Sequence, residues 1–113
     1  MLPKKNRLTK KRDFQRVYSS GRSFFSSSLR LKILPNQLDS IRVAVVVSTK
    51  VSKKATKRNR LKRQLLEIVR LNLKKLLPGV DVVISAQPQA LKQDYPELEA
   101  VFMGLAKKVK LLK

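Results

Sequence analysis

Two short β-branched stretches decide the fold: Ile41-Arg42-Val43-Ala44-Val45-Val46-Val47-Ser48 and Val80-Asp81-Val82-Val83-Ile84-Ser85-Ala86. Each is an almost continuous apolar run, which reads as a strand buried on both faces. Between them, residues 55–77 carry apolar side chains at helical spacing, with Leu61, Leu65, Ile68, Val69 and Leu76 on one stripe. Pro78-Gly79 then stops the helix. Strand, helix, strand in this order predicts a βαβ crossover with a parallel pair.

Outward from that unit, residues 23–34 alternate. Leu29, Leu31 and Ile33 face one way and Arg30 and Lys32 the other, predicting one strand with a core face and a basic face. Upstream, a short helix is expected from a Thr9 cap to about Ser19, closed by Ser20-Gly21. It carries Phe14 and Tyr18 one turn apart, with Val17 beside them. Residues 1–8 read as a flexible basic arm. Downstream, a last helix is expected over about 95–111, with Leu98, Val101, Phe102, Leu105 and Val109 facing the core. Its acids, Glu97 and Glu99, fall in the first turn and Lys107, Lys108 and Lys110 near the end, as the helix dipole favours. The prediction is a single α+β domain over residues 1–113: a mixed sheet of four strands or fewer, with three helices.

Charge narrows the function. The 113 residues include 27 Lys and Arg against 7 Asp and Glu, a net charge of +20. Such an excess opposes compaction unless a polyanion neutralises it. Nucleic acid is the first candidate partner, because phosphate contacts release counterions. Without cysteine, there is neither a disulfide framework nor a thiolate metal site; without histidine, the commonest general base is missing. No run of about 20 apolar residues is present to span a membrane, and the first residues lack a secretory apolar stretch. A cytoplasmic protein is expected.

The position of the charge is more telling than its amount. Residues 50–75 hold 11 basic residues and one acid, Glu67, and residues 1–32 hold 10 and one, Asp13. Residues 76–113 are nearly balanced, with five and four. An ordinary solvated helix pairs its cations with acids at i+3 or i+4, and here there is almost no acid to pair with. On a helical wheel Arg58 falls in line with Leu61 and Leu65, where burial would be costly. The helix start is therefore expected to overhang the core, with Arg58, Asn59 and Lys62 in open space. Its free N–H groups and dipole, with Lys50, Lys53 and Lys54 before it, make an anion site. Phe14 and Tyr18 have two readings. Aromatics at i, i+4 are more often core, yet beside the basic strand face of Arg30 and Lys32 they could stack unpaired bases.

The stretch from Arg42 to Arg70, with Arg58-Asn59-Arg60-Leu61-Lys62-Arg63 at its heart, resembles the signature of the bacterial ribonuclease P protein subunit. Arg7-Leu8, Asp13-Phe14-Gln15-Arg16-Val17-Tyr18 and Gly21 resemble the same family, and the order of elements fits nearly the whole chain. Thr49 and Leu66 depart from the pattern at positions where the family commonly has basic residues. The resemblance implies a left-handed crossover, against the usual preference. It implies two partners: a large catalytic RNA, and precursor tRNA whose 5′ leader is removed with Mg²⁺ held mainly by the RNA. By position it implies that Lys50, Lys53, Lys54, Lys57, Arg58, Asn59, Arg60, Lys62 and Arg63 meet the catalytic RNA. Phe14, Tyr18, Arg30 and Lys32 would line a cleft for the leader. No catalytic or metal-binding residue, small-molecule substrate or membrane partner is expected in this chain. A ribosomal or other structural RNA-binding protein fits charge and size equally well, but not the pattern over residues 42–70.

Overall fold

The computed structural model describes residues 2–113. Helix α1 (Lys11–Ser20) leads into strands β1 (Arg22–Phe25), β2 (Leu29–Pro35) and β3 (Arg42–Val46). Helix α2 (Ala55–Asn72), strand β4 (Val80–Ala86) and helix α3 (Tyr95–Lys108) follow. The sheet order is β1-β2-β4-β3. Strand β4 pairs antiparallel with β2 and parallel with β3, so the expected parallel crossover pair is present in a mixed sheet. No helix of the described residues is long and apolar enough to cross a membrane.

Side-chain alternation gives the sheet two covered faces. One receives α2 and α3, where Leu29, Leu31, Val43, Val45, Val82 and Ile84 meet Leu61, Leu65, Ile68, Leu98 and Phe102. The other receives α1, where Val17 and Leu8 pack on Ala44 and Val83. Strand β4 is buried from Asp81 to Ile84, as its composition predicts.

Four local expectations need correcting. Residues 23–34 form a hairpin, because Ser26 turns the chain: its hydroxyl accepts from the Leu29 N–H at 3.0 Å and its own N–H donates to the Leu29 carbonyl at 2.9 Å. The cap of α1 is Lys10, with no side-chain cap bond, rather than Thr9. Helix α2 ends at Asn72, whose amide donates to the Ile68 carbonyl at 2.7 Å; a 3₁₀ turn over Leu73–Lys75 then carries Leu76 into the core. Of residues 1–8, those described do not form a flexible arm. Leu2 and Leu8 are buried, Asn6 Nδ2 donates to the Ile41 carbonyl at 2.8 Å, and Arg7 bridges Val43 in parallel. This segment covers the outer edge of β3, which would otherwise present unpaired backbone groups.

Gly21 ends α1 with ordinary φ, and its N–H bonds the Val17 carbonyl. Glycine is needed there for space, since a Cβ would lie 2.4 Å from the Val17 carbonyl oxygen. Helix α3 starts on a complete capping box, in which Asp94 accepts from the Glu97 N–H and Glu97 from the Asp94 N–H.

Candidate nucleic-acid interface

The basic segment before α2 is a shaped loop. Ser48 and Ser52 hydroxyls accept the Lys50 and Lys54 N–H groups at 3.3 and 3.2 Å, while Val51 anchors the loop in the core. Lys50, Lys53, Lys54, Lys57, Asn59, Arg60, Lys62 and Arg63 are exposed. Among the described residues, ion pairs involve only Arg42 and Arg70, so this cluster has no intramolecular counter-charge. No side chain caps the start of α2, which leaves first-turn N–H groups and the positive dipole end facing outward with the lysines. Arg58 departs from expectation. It is half-buried, and its Nη1 donates to the Ser52 carbonyl at 2.9 Å. The wheel placed it correctly over the core stripe, but it escapes burial by reaching back to the loop.

On the opposite face, α1 and the sheet build a second surface. The Phe14 and Tyr18 rings stack at 6.4 Å between centroids and 24° between planes. The Lys32 ammonium lies 5.4 Å from the Tyr18 ring and donates to the Tyr18 carbonyl at 2.7 Å, closing the end of α1. The register puts Arg30 on the same face as Lys32, and its guanidinium lies 4.7 Å over the Phe25 ring. Rings and cations thus alternate across the face, a pattern suited to bases and phosphates in turn. Phe25, 58% exposed, completes this row and was missed in the sequence. Read as one strand, residues 23–34 would give Phe25 the parity of Leu29 and Leu31; the Ser26 turn instead sets it opposite Arg30.

A buried ionic knot fixes α1 to the sheet. Arg42 Nε and Nη2 donate to the two Asp81 oxygens at 2.8 and 2.7 Å, and Nη1 reaches Asp13 at 3.2 Å. Asn36 Nδ2 adds a bond to Asp81 at 2.9 Å. The Asp81 hydrogen bond raises the Arg42 pKa against the opposing effect of burial, and the Asp81 and Asp13 charges add to the rise. In the sequence Asp13 and Asp81 are two scattered acids with no visible partner.

Among the described residues no cluster of three Asp, Glu, His or Cys could hold an ion. Asp13 and Asp81 share Arg42, Glu67 binds Arg70, and Asp94 and Glu97 cap α3.

Comparison with known proteins agrees with this geometry. The family model described as Ribonuclease P matches residues 2–110. A ribonuclease P protein component from a Pseudanabaena species is 41% identical over 113 residues, covering 99% of this chain and 97% of that one. The one from Clostridium botulinum is 39% identical, with 93% and 95% covered. The solved structure of the Staphylococcus aureus RNase P protein superposes with a TM-score of 0.87 at 25% identity, covering 96% of this chain and 98% of that one. The Thermotoga maritima protein gives 0.83 at 29%, with 90% and 96% covered. With its mixed sheet, its unpaired basic helix end and nearly its whole length matched, the chain belongs to the ribonuclease P protein family, whose role is the 5′ processing of tRNA.

Proposed function

We propose that the two surfaces divide the work of a ribonucleoprotein. The uncompensated cations from Lys50 to Arg63 dock the catalytic RNA, and the row Phe14, Tyr18, Lys32, Arg30 and Phe25 holds the single-stranded 5′ leader of precursor tRNA. The observation that carries this reading is the separation of the two by the sheet, with unpaired cations at the start of α2 on one side and rings interleaved with Lys32 and Arg30 on the other. Phosphate contacts position an RNA helix, while exposed rings suit an unpaired strand. Arg58 acts within the docking surface by holding the loop of Lys53 and Lys54 against the helix.

Of the chain's seven acids, five are engaged by Arg42, Arg70 and the α3 cap, Glu99 accepts from Asn72 and Asp39 is exposed, and no three of them come together as a Mg²⁺ site among the described residues. The proposed division therefore assigns the ion and the hydrolytic step to the RNA, and binding and charge neutralisation to this protein.

The test uses the protein assembled with the RNA. Arg60→Ala should weaken binding to the catalytic RNA and lower the salt dependence by about one phosphate contact. Phe14→Ala should leave that binding intact and reduce the preference for precursor over mature tRNA. Equal effects of both changes in both assays would point to one undivided surface.

A further inference from the structure

The far end of α2 gathers a separate group of cations. Lys5, Lys74 and Lys113 line a groove of about 190 Å³ there, with the buried Ile41 and Leu76 behind them and one exposed acid, Asp39. Three segments distant in sequence are tied together to build it. Asn6 holds the first to the Ile41 carbonyl. The Leu77 N–H donates to the Leu111 carbonyl at 2.7 Å, and the Lys113 N–H to the Lys75 carbonyl at 2.8 Å. Lys75 and Lys110 belong to the same paired segments, and all five lysines are exposed. None has an ion pair among the described residues. The 18 residues of α2 span about 27 Å, so this end is remote from Lys50 to Arg63 in a molecule 36 Å long.

Lysines near a helix C-terminus can serve the helix dipole, and Lys107 and Lys108 in the last turn of α3 are placed to do so. Lys110 lies past that turn and has φ +59°. Its N–H donates to the Lys107 carbonyl at 3.2 Å, and the Leu111 N–H to the Ala106 carbonyl at 2.8 Å. This is a Schellman closure, and Lys110 holds the left-handed position that glycine usually takes. There a Cβ crowds the following carbonyl, so any side chain is a penalty. Both closing bonds are made by backbone alone, and glycine would keep them with Leu111 still seated in the core. What the lysine adds is an exposed charge beside Lys75 and Lys113.

The chemistry of this end is narrow. Its free cations are lysines: Arg7 is engaged by the Leu2 carbonyl and Arg70 by Glu67. No aromatic ring lines the groove. Lysine is a point charge that positions phosphates, without the bidentate fork of arginine. Without rings there is no platform for unpaired bases. The fitting partner is the phosphate backbone of a double helix. The end shares the α2 and α3 side of the sheet, through Leu76 and Leu111, whereas the row of Phe14 and Tyr18 occupies the other side.

We infer that Lys5, Lys74, Lys75, Lys110 and Lys113 clamp the backbone of a second, base-paired segment of the catalytic RNA. With the start of α2 on one segment and this end on another, the direction of the helix along the RNA is fixed. The inference rests on the proposed docking of that RNA by the start of α2.

The test uses the full chain and the catalytic RNA. Lys110→Gly should keep or raise the urea midpoint of the free protein, yet weaken RNA binding about fivefold at 0.15 M salt and lower the salt slope by about one, as for one phosphate contact. Lys74→Ala with Lys110→Gly should lower the slope by about two. The chain has no cysteine, so iron-EDTA can be tethered at Lys108→Cys or Thr56→Cys alone. Hydroxyl radicals from Lys108→Cys should cut both strands of one base-paired segment, and those from Thr56→Cys a different segment. A Lys110→Gly affinity equal to the parent's, a lowered urea midpoint, or cuts from Lys108→Cys confined to unpaired RNA or to the Thr56→Cys segment would overturn the assignment. So would phosphatidylglycerol vesicles that bind the parent but not Lys110→Gly while RNA affinity is unchanged, which would make this end a membrane contact. An Arg60→Ala affinity equal to the parent's would instead overturn the docking reading beneath it.

Discussion

Replacing Arg42 with leucine would strand the most buried charge in the protein. The Asp81 carboxylate has no exposed surface and accepts two bonds from Arg42 and one from Asn36. Removing one partner of a buried ion pair costs about 3–5 kcal/mol, because the remaining charge keeps its desolvation penalty. Arg42 is itself 20% exposed, which admits water to part of the knot, so the low end, about 3 kcal/mol, is expected. At about 4–8 °C per kcal/mol for a small domain, the melting temperature should fall by roughly 12–24 °C. Urea denaturation followed by far-UV circular dichroism measures the loss as a lower midpoint at constant slope. The double variant Arg42→Leu with Asp81→Asn should recover most of it, since it removes the stranded charge. Asp13→Asn should cost about 1 kcal/mol or less, because Arg42 keeps Asp81, yet loosen α1 and weaken leader binding. A loss below about 1 kcal/mol for Arg42→Leu, or a double variant no more stable than the single one, would refute the reasoning.

Two further outcomes can be checked on the isolated protein. Gly21→Ala puts a Cβ 2.4 Å from the Val17 carbonyl oxygen, a backbone atom that cannot swing aside; the clash should cost about 1–3 kcal/mol and show in the same urea titration. Tyr95 is held above its ordinary pKa, first by burial and then by Glu99 and Glu67. Its protonated form is favoured by folding, so its contribution is complete below about pH 10 and declines as pH rises through the folded value. Tyr95→Phe should flatten the stability profile above about pH 10 relative to the parent, measured as urea midpoints across that range.

The sheet, its parallel pair and the basic end of α2 were legible because each rests on local pattern: β-branched runs, 3.6-residue periodicity and a lack of acids near the cations. What could not be read depends on contacts distant in sequence or on single turns. Ser26 reverses the chain through its own hydroxyl, and that reversal alone moved Phe25 onto the stacking face. Leu2 and Leu8 look unremarkable among the cations of the first eight residues; their burial depends on the free edge of β3, more than 30 residues away. The Arg42 knot joins residues 13, 42 and 81, and no spacing rule connects them.

The sheet order β1-β2-β4-β3 also constrains how the chain reaches this state. The β1–β2 hairpin can close early, but β2 and β3 are both partnered by β4, which comes last in sequence. Until residue 86 has been made, two strands expose edges, the condition under which nascent chains pair with one another. By then the chain has acquired most of its positive charge, since 22 of its 27 basic residues precede residue 76. Mutual repulsion keeps such half-formed molecules apart. The charge that binds RNA in the finished protein thereby also guards it against self-association while β4 is awaited.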